Sequence, residues 1–404
     1  MMLDRLIAEV DNEIDSKLKE IDNLVYINSV KVLDAFHKEK VLTSDFSSST
    51  GYGYNDIGRD KIERLFADYF KCEKALVRCQ LISGTHALST TFFGLLRPGD
   101  KFLSITGVPY DTLHKVIGIS ENDSSLKAFG IDFKYIDLVN NDFDYDKIKD
   151  NLDVKLVHIQ RSIGYDNRDT ISMEKIEKVI KFIKIINNDI IVMVDNCYCE
   201  MCDVKEPTEV GADIVVGSLI KNLGAGIANN GAYICGKEKY VELCAERLTS
   251  PGLGSEVGPS LNQTRNFALG LYEAPLVVGN ALKTKVFAKT LMNKLGFETI
   301  NNNLDDIVLG IKLNNKDNLI KFVKGIQRES AIDSCYSPVP TDMPGYDNQI
   351  IMASGSFTEG SSIELSCDAP IRKPYIAYLQ GSLTYEYGKI GIINTIRNII
   401  EGEE

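Results

Sequence analysis

The sequence predicts an α/β fold: a large domain built on a mostly parallel, doubly wound, seven-stranded sheet, followed by a smaller C-terminal α/β domain. Three observations predict it. Seven short β-branched runs come after residue 61: KALVRCQL, KFLSIT, FKYIDL, VKLVHIQ, DIIVMVD, ADIVVGS and GAYICG. Segments of helical period, such as 84–96 and 172–187, separate most of them, and apolar strands alternating with helices mean a sheet covered on both faces. The chain has 404 residues, 44% of them hydrophobic and 25% charged, which is ample for two or three globular domains.

Taken in order, residues 1–45 read as helix, because Leu6, Val10, Ile14, Leu18, Ile21 and Val25 recur at steps of four and three. Such a stripe must pack on its own core or on a neighbouring subunit. FSSSTGYGYNDIGRD (46–60) then breaks the pattern with glycines and small polar residues. Residues 1–60 are therefore expected to form a helical arm and interface segment, 61–260 the large ligand-binding domain, and 261–404 a linker helix and the small domain. The linker helix is expected over roughly 258–294.

Composition narrows the function. A net charge of −12 without a long basic run disfavours nucleic acid and anionic membranes, so a small-molecule or protein partner is expected. No stretch approaches the ~20 apolar residues of a membrane-spanning helix. The acidic start MMLDRLIAEVDNEID is unlike a signal or transit peptide, and nine cysteines suit reduced thiols, so a cytoplasmic location is expected.

In sheets of this kind ligands bind beyond the carboxyl ends of the strands. GAGIANNG (224–231) lacks the GxGxxG spacing, and there is no GxxxxGK[ST]. The strand ends carry a different set of residues. Ser83-Gly84-Thr85 comes after KALVRCQL and opens a helix; alone it is an ordinary N-cap, and it also suits a phosphate. Asp195 ends DIIVMVD, where it is either a turn aspartate or the anion that keeps a heteroaromatic nitrogen protonated. Lys221 lies just past ADIVVGS, three residues after Ser218. An amine, a ring-nitrogen partner and a phosphate cradle make up the parts of a pyridoxal phosphate (PLP) site.

These parts, with STGYGYNDIGRDKIE, LISGTHAL, IVVGSLIKN, RLTSPGLGSEVG and MPGYDNQIIMASGSFTEGSSIELSCDAPIRKPYIAYLQGSLTYEYGKIGI, resemble the fold-type I PLP enzymes. Within them the chain is similar to the cysteine/methionine metabolism group of carbon–sulfur lyases. The closest branch is the methionine gamma-lyase family, or aluminium resistance proteins, related to cystathionine beta-lyases. The likeness spans nearly the whole chain. It departs after the lysine, where Asn222-Leu223-Gly224-Ala225-Gly226 replaces a proline and a glycine run, and at Ala369 and Ser382 in place of glycine.

The resemblance implies that Lys221 carries the cofactor as a Schiff base, that Asp195 pairs with its pyridine nitrogen, and that Ser83, Gly84, Thr85 and Ser218 hold its phosphate. Tyr110 would stack on the ring. Tyr54 and Arg59 would reach the cofactor phosphate of a neighbouring subunit, which implies a homo-oligomer, at least a dimer and as expected a dimer of dimers. Arg372 is the expected anchor of the substrate carboxylate, with Lys373 second. Lys221 would move the Cα proton, Tyr110 or Tyr54 would protonate a departing sulfur, and the products would be thiol, 2-oxo acid and ammonia. Methionine, cystathionine and cysteine are the substrate types implied. A PLP-dependent transaminase, racemase or amino-acid-cleaving lyase, or a sensor without turnover, shares the same core residues. Cys197, Cys199 and Cys202 form a CxCxxC without a fourth ligand at metal spacing, so no metal is expected.

Overall fold

The computed structural model describes residues 2–401. Helix α1 (Met2–Glu39) leads to α2 (Ile57–Phe70), and β1 (Lys74–Arg78) begins the large sheet. Next come α3 (Gly84–Leu95), β2 (Lys101–Ser104), α4 (His114–Ile117), β3 (Asp132–Tyr135), α5 (Tyr145–Asp150), β4 (Leu156–Gln160), α6 (Met173–Ile186), β5 (Ile191–Asp195), β6 (Ile214–Ser218), β7 (Ala232–Gly236) and α7 (Glu238–Leu248). The seven strands lie in the order β1-β7-β6-β5-β4-β2-β3. All neighbours are parallel except β7, which runs antiparallel to both β6 and β1.

Strands β4 to β7 are buried at every position, because helices cover both faces: Ile191, Met193, Ile214 and Val216 pack under α3 and α7, while Val192, Val194 and Val215 face the opposite core. The continuous apolar runs are the signature of that double cover. β3, at the edge, is largely exposed and ends at Tyr135, earlier than FKYIDL suggests.

The long α8 (Thr264–Lys294) connects to β8 (Thr299–Ile300), β9 (Leu309–Lys312), α9 (Lys316–Arg328), β10 (Ile350–Ala353), β11 (Ser366–Pro370), β12 (Ile376–Gln380) and α10 (Tyr385–Glu401). These five strands form a second, wholly antiparallel sheet in the order β10-β11-β12-β9-β8. The stripe on α1 is covered within the chain: Val10, Ile14 and Ile21 are buried, and at Val25 the helix passes so close to α8 that a Cβ on Gly279 would lie 2.2 Å from the valine Cγ2.

Register sets the site. Parallel pairing aligns Gln160 of β4 with Asp195 of β5, and Ser218 closes β6 at the same edge. The start of α3 faces that edge as well, its Gly84 lying beside Ser218.

Candidate active site

Ser83 takes extended backbone and caps α3, its hydroxyl accepting from the His86 N–H at 3.1 Å. The N–H groups of Gly84 and Thr85, first in the helix, have no acceptor within it, and with the positive end of the helix dipole they form an anion cradle. Any side chain at residue 84 would intrude: a Cβ there would stand 3.2 Å from Cys197 Sγ and 3.4 Å from Ser218 Cβ. Glycine keeps this wall of the site open. Thr85 and Thr112 share a hydroxyl contact of 2.7 Å.

Asp195 is buried at the end of β5 and accepts the Cys197 N–H at 3.1 Å. Burial raises its carboxyl pKa, with hydrogen bonds from Cys197 and the charge of Lys221 pulling it back. That is the state of an anion lacking a close cation, which a protonated ring nitrogen would supply. Lys221 enters from the turn after β6, where Gly224 is essential: a Cβ on it would fall 1.6 Å from the Leu219 carbonyl. The Lys221 Nζ donates to the Ser361 carbonyl at 2.9 Å and to the Tyr198 hydroxyl. Burial lowers its pKa, which favours the neutral, nucleophilic amine.

One cavity of about 210 Å³ joins these groups. Ser83, Gly84, Thr85, Tyr110, Asp195, Ser218 and Lys221 all line it. The Tyr110 ring is wedged against Gly164, where a Cβ would come within 3.1 Å of its Cδ2, and its N–H donates to Gln160 Oε1 at 2.7 Å. This is the fixed aromatic face that a flat ring needs.

Other expected residues lie elsewhere. Tyr54 is 55% exposed and stacks on the exposed Tyr52 with ring centroids 5.7 Å apart. Arg59 is buried, and its guanidinium is occupied by the carbonyls of Gly53 at 2.7 Å and Gly258 at 3.2 Å and by Asp60. Neither lines the cavity of its own chain. Arg372 and Lys373 line a separate depression with Tyr165 and Asp166. The Arg372 Nη2 donates to the Tyr165 carbonyl at 3.0 Å, and Nη1 stands 3.8 Å from Asp111. Arg372, just past the end of β11, thus rests on the Tyr165 carbonyl and does not line the cavity. His86 Nδ1 accepts from the Ile82 N–H at 3.3 Å and does not line the cavity.

Sequence reasoning passed over Tyr198, Tyr346, Ser361 and Gln160, all cavity-lining, and the buried Asp368 beside them. Asp368 accepts from Ser361 Oγ at 2.7 Å and Tyr165 Oη at 3.0 Å, and burial raises its pKa. Tyr198 carried a signal, being part of the CxCxxC after Asp195; it holds a left-handed backbone at φ 70 that turns its ring toward Lys221. Of the thiols, Cys197 lines the cavity while Cys199 and Cys202 are buried in the core. Among the described residues no three His, Cys, Asp or Glu side chains converge as a metal site.

The donor set fits PLP: an anion cradle at a helix start, an under-paired carboxylate, an amine of lowered pKa and a rigid tyrosine face. With the sheet order, these features define the fold-type I class of PLP-dependent enzymes, and a PLP-dependent protein from Escherichia coli shares the fold over 95% of this chain at a TM-score of 0.64 and 16% identity. The family model of methionine gamma-lyase matches residues 3–400, so the chain belongs to the methionine gamma-lyase family. An uncharacterised Bacillus subtilis protein, YnbB, is 44% identical over 99% of this chain and 97% of its own length. A carbon–sulfur lyase involved in aluminium resistance from Clostridium novyi superposes with a TM-score of 0.94 at 45% identity, covering 98% of this chain and 96% of that one. The L-methionine gamma-lyase of Pseudomonas deceptionensis is more distant, 28% identical over 53% of this chain and 49% of its own.

Proposed function

We propose that the protein is a PLP-dependent lyase that breaks the carbon–sulfur bond of a sulfur-containing amino acid, giving thiol, 2-oxo acid and ammonia. The observation that carries this reading is the convergence of Lys221, Asp195, the start of α3 and Tyr110 on one cavity. Ser83, Gly84, Thr85 and Ser218 would hold the cofactor phosphate, Lys221 its aldehyde carbon, Asp195 its ring nitrogen and Tyr110 its face. When bound, PLP supplies an electron sink for the charge that develops at the substrate Cα.

The chain's own residues do the rest. Asp195 keeps a proton on the ring nitrogen. Lys221, neutral once released, takes the Cα proton, held over the site by the Ser361 carbonyl and the Tyr198 hydroxyl. A hydroxyl of the tyrosine wall protonates the departing sulfur. Arg372 is the proposed anchor for the substrate carboxylate; to reach it the guanidinium must leave the Tyr165 carbonyl and Asp111. Tyr54 and Arg59 are proposed to serve the cofactor phosphate in the site of a second copy, in a homodimer that pairs into a tetramer; for Arg59 this requires the guanidinium to leave the Gly53 and Gly258 carbonyls.

The test is direct. The purified protein should absorb as a PLP enzyme, and borohydride should fix the cofactor to the peptide containing Lys221. A panel of L-methionine, L-cystathionine and L-cysteine scored for thiol, 2-oxo acid and ammonia should then show all three products in equal amounts. Label on another lysine, or 2-oxo acid without thiol, overturns the assignment.

A further inference from the structure

Asp368 stands on β11 of the second sheet, 2% exposed, and does not line the cavity. Both hydrogen bonds to its carboxylate arrive at one oxygen: Ser361 Oγ donates to Oδ2 at 2.7 Å and Tyr165 Oη at 3.0 Å. The other oxygen, Oδ1, is buried and has no hydrogen-bond partner among the described residues. Burying a carboxylate so incompletely paired is costly, and an apolar side chain would fill the same place without that cost. The position therefore calls for a role that only an acceptor of two hydroxyls can fill.

The two hydroxyls belong to residues whose backbone carbonyls hold the two cations of the proposed site. The Ser361 carbonyl accepts from Lys221 Nζ at 2.9 Å. The Tyr165 carbonyl accepts from Arg372 Nη2 at 3.0 Å. Ser361 lies in the connection between β10 and β11 of the small domain, and Tyr165 in the connection between β4 and α6 of the large one. One carboxylate thus ties a loop of each domain to the other, and with those loops the amine and the guanidinium.

We propose that Asp368 is a positioning residue that, by holding the Ser361 and Tyr165 hydroxyls on one oxygen, keeps the Lys221 amine and the Arg372 guanidinium in one frame. This deepens the carbon–sulfur lyase reading above and rests on it. The substrate must offer its Cα–H bond to Lys221 while Arg372 takes its carboxylate, so a slip of one loop against the other misaligns that bond. A misplacement of about 1 Å costs on the order of a hundredfold in rate. If the Tyr165 carbonyl drifts, the guanidinium is left to Asp111, 3.8 Å away, and fewer molecules have it in reach of the substrate.

The experiment uses Ser361→Ala and Tyr165→Phe, each of which removes one hydroxyl and keeps the carbonyl, together with Asp368→Ala and Asp368→Asn. Ser361→Ala should lower kcat about tenfold with KM near the parent's, and Tyr165→Phe should raise KM about tenfold with kcat near the parent's, the scale of one hydrogen bond to a charged group. Asp368→Ala should show both effects, and adding either hydroxyl deletion to it should change nothing further. Asp368→Asn, whose amide oxygen accepts both hydroxyls, should recover most of the loss. Additive effects in the Asp368→Ala background, or an Asp368→Asn as impaired as Asp368→Ala, overturn the proposal. Should Asp368→Ala fail to fold, the single hydroxyl deletions still decide, since equal shifts of kcat and KM in both overturn it. A further measurement needs no turnover: under reductive methylation of the cofactor-free protein, Lys221 should react several-fold faster in Ser361→Ala and at the parent's rate in Tyr165→Phe. Equal rates in the two variants overturn the proposal. A parent that releases no thiol from any substrate removes the lyase reading itself, and the methylation rates still decide whether the Ser361 contact to Asp368 holds the amine.

Discussion

Burial raises the Asp195 pKa and lowers that of Lys221, directions that suit the roles proposed for them. The same force acts on groups outside the reaction. Glu200, fully buried behind the site, accepts the Tyr233 hydroxyl at 2.7 Å, and burial raises its pKa from 4.5 to about 8. Its proton is held by the folded chain and released by the unfolded one between those values. The contribution to stability is therefore complete below pH 4.5 and is lost as pH rises through 8. Glu200→Gln should flatten that loss, so thermal melts from about pH 5 to 9 should show parent and variant diverging in the variant's favour at the alkaline end. If Arg372 anchors the substrate as proposed, Arg372→Leu should raise KM or lower kcat/KM by about thirtyfold to a thousandfold, equivalent to about 2–4 kcal/mol for losing a charge-assisted contact to a buried carboxylate. The cofactor spectrum should be unchanged. If Lys373→Leu is crippled and Arg372→Leu is not, the anchor is the neighbouring residue.

At the scale of elements, the close pairing of α1 with α8 depends on a missing side chain. Gly279 costs α8 about 1 kcal/mol of helix propensity relative to alanine, yet Gly279→Ala should destabilise, because its Cβ would stand 2.2 Å from Val25 Cγ2. Forced overpacking of this kind costs about 1–3 kcal/mol and outweighs the propensity gain. Adding Val25→Ala should recover part of the loss in urea melts. Failure of the pair to interact would mean that α1 shifts freely over α8.

For the whole molecule, the exposed residues mark a surface on which the proposed second copy would pack. Tyr52 and Tyr54 stand 70% and 55% exposed, and Tyr26, Val30 and Leu33 leave apolar surface on the outer side of α1. A chain whose proposed phosphate contact lies outside its own cavity should be inactive as a monomer. Mixing Lys221→Ala subunits with Tyr54→Ala subunits should restore activity, since hybrid dimers regain one site with both residues intact. No recovery on mixing would place Tyr54 outside the reaction.

The seven strands, the helices between them and the residues that end β5 and β6 were legible in the sequence, because double burial enforces apolar runs and because chemistry-bearing residues fall at strand ends by chain order alone. Ser83, Asp195, Ser218 and Lys221 could be placed for that reason. The covering wall could not. Tyr346, Ser361 and Asp368 come from the small domain, well over a hundred residues from Lys221 in sequence, and no local period marks a loop tyrosine that reaches a site through a latch such as Asp347–His114. The orientation of Arg372 was equally invisible, since a charge motif shows which residue can bind a carboxylate but not which side of Tyr165 it occupies. Local patterning determined the sheet and the lower half of the site; long-range packing decided which loop residues, Tyr346 and Ser361 among them, complete the cavity wall, because contacts between distant segments leave no local period in the chain.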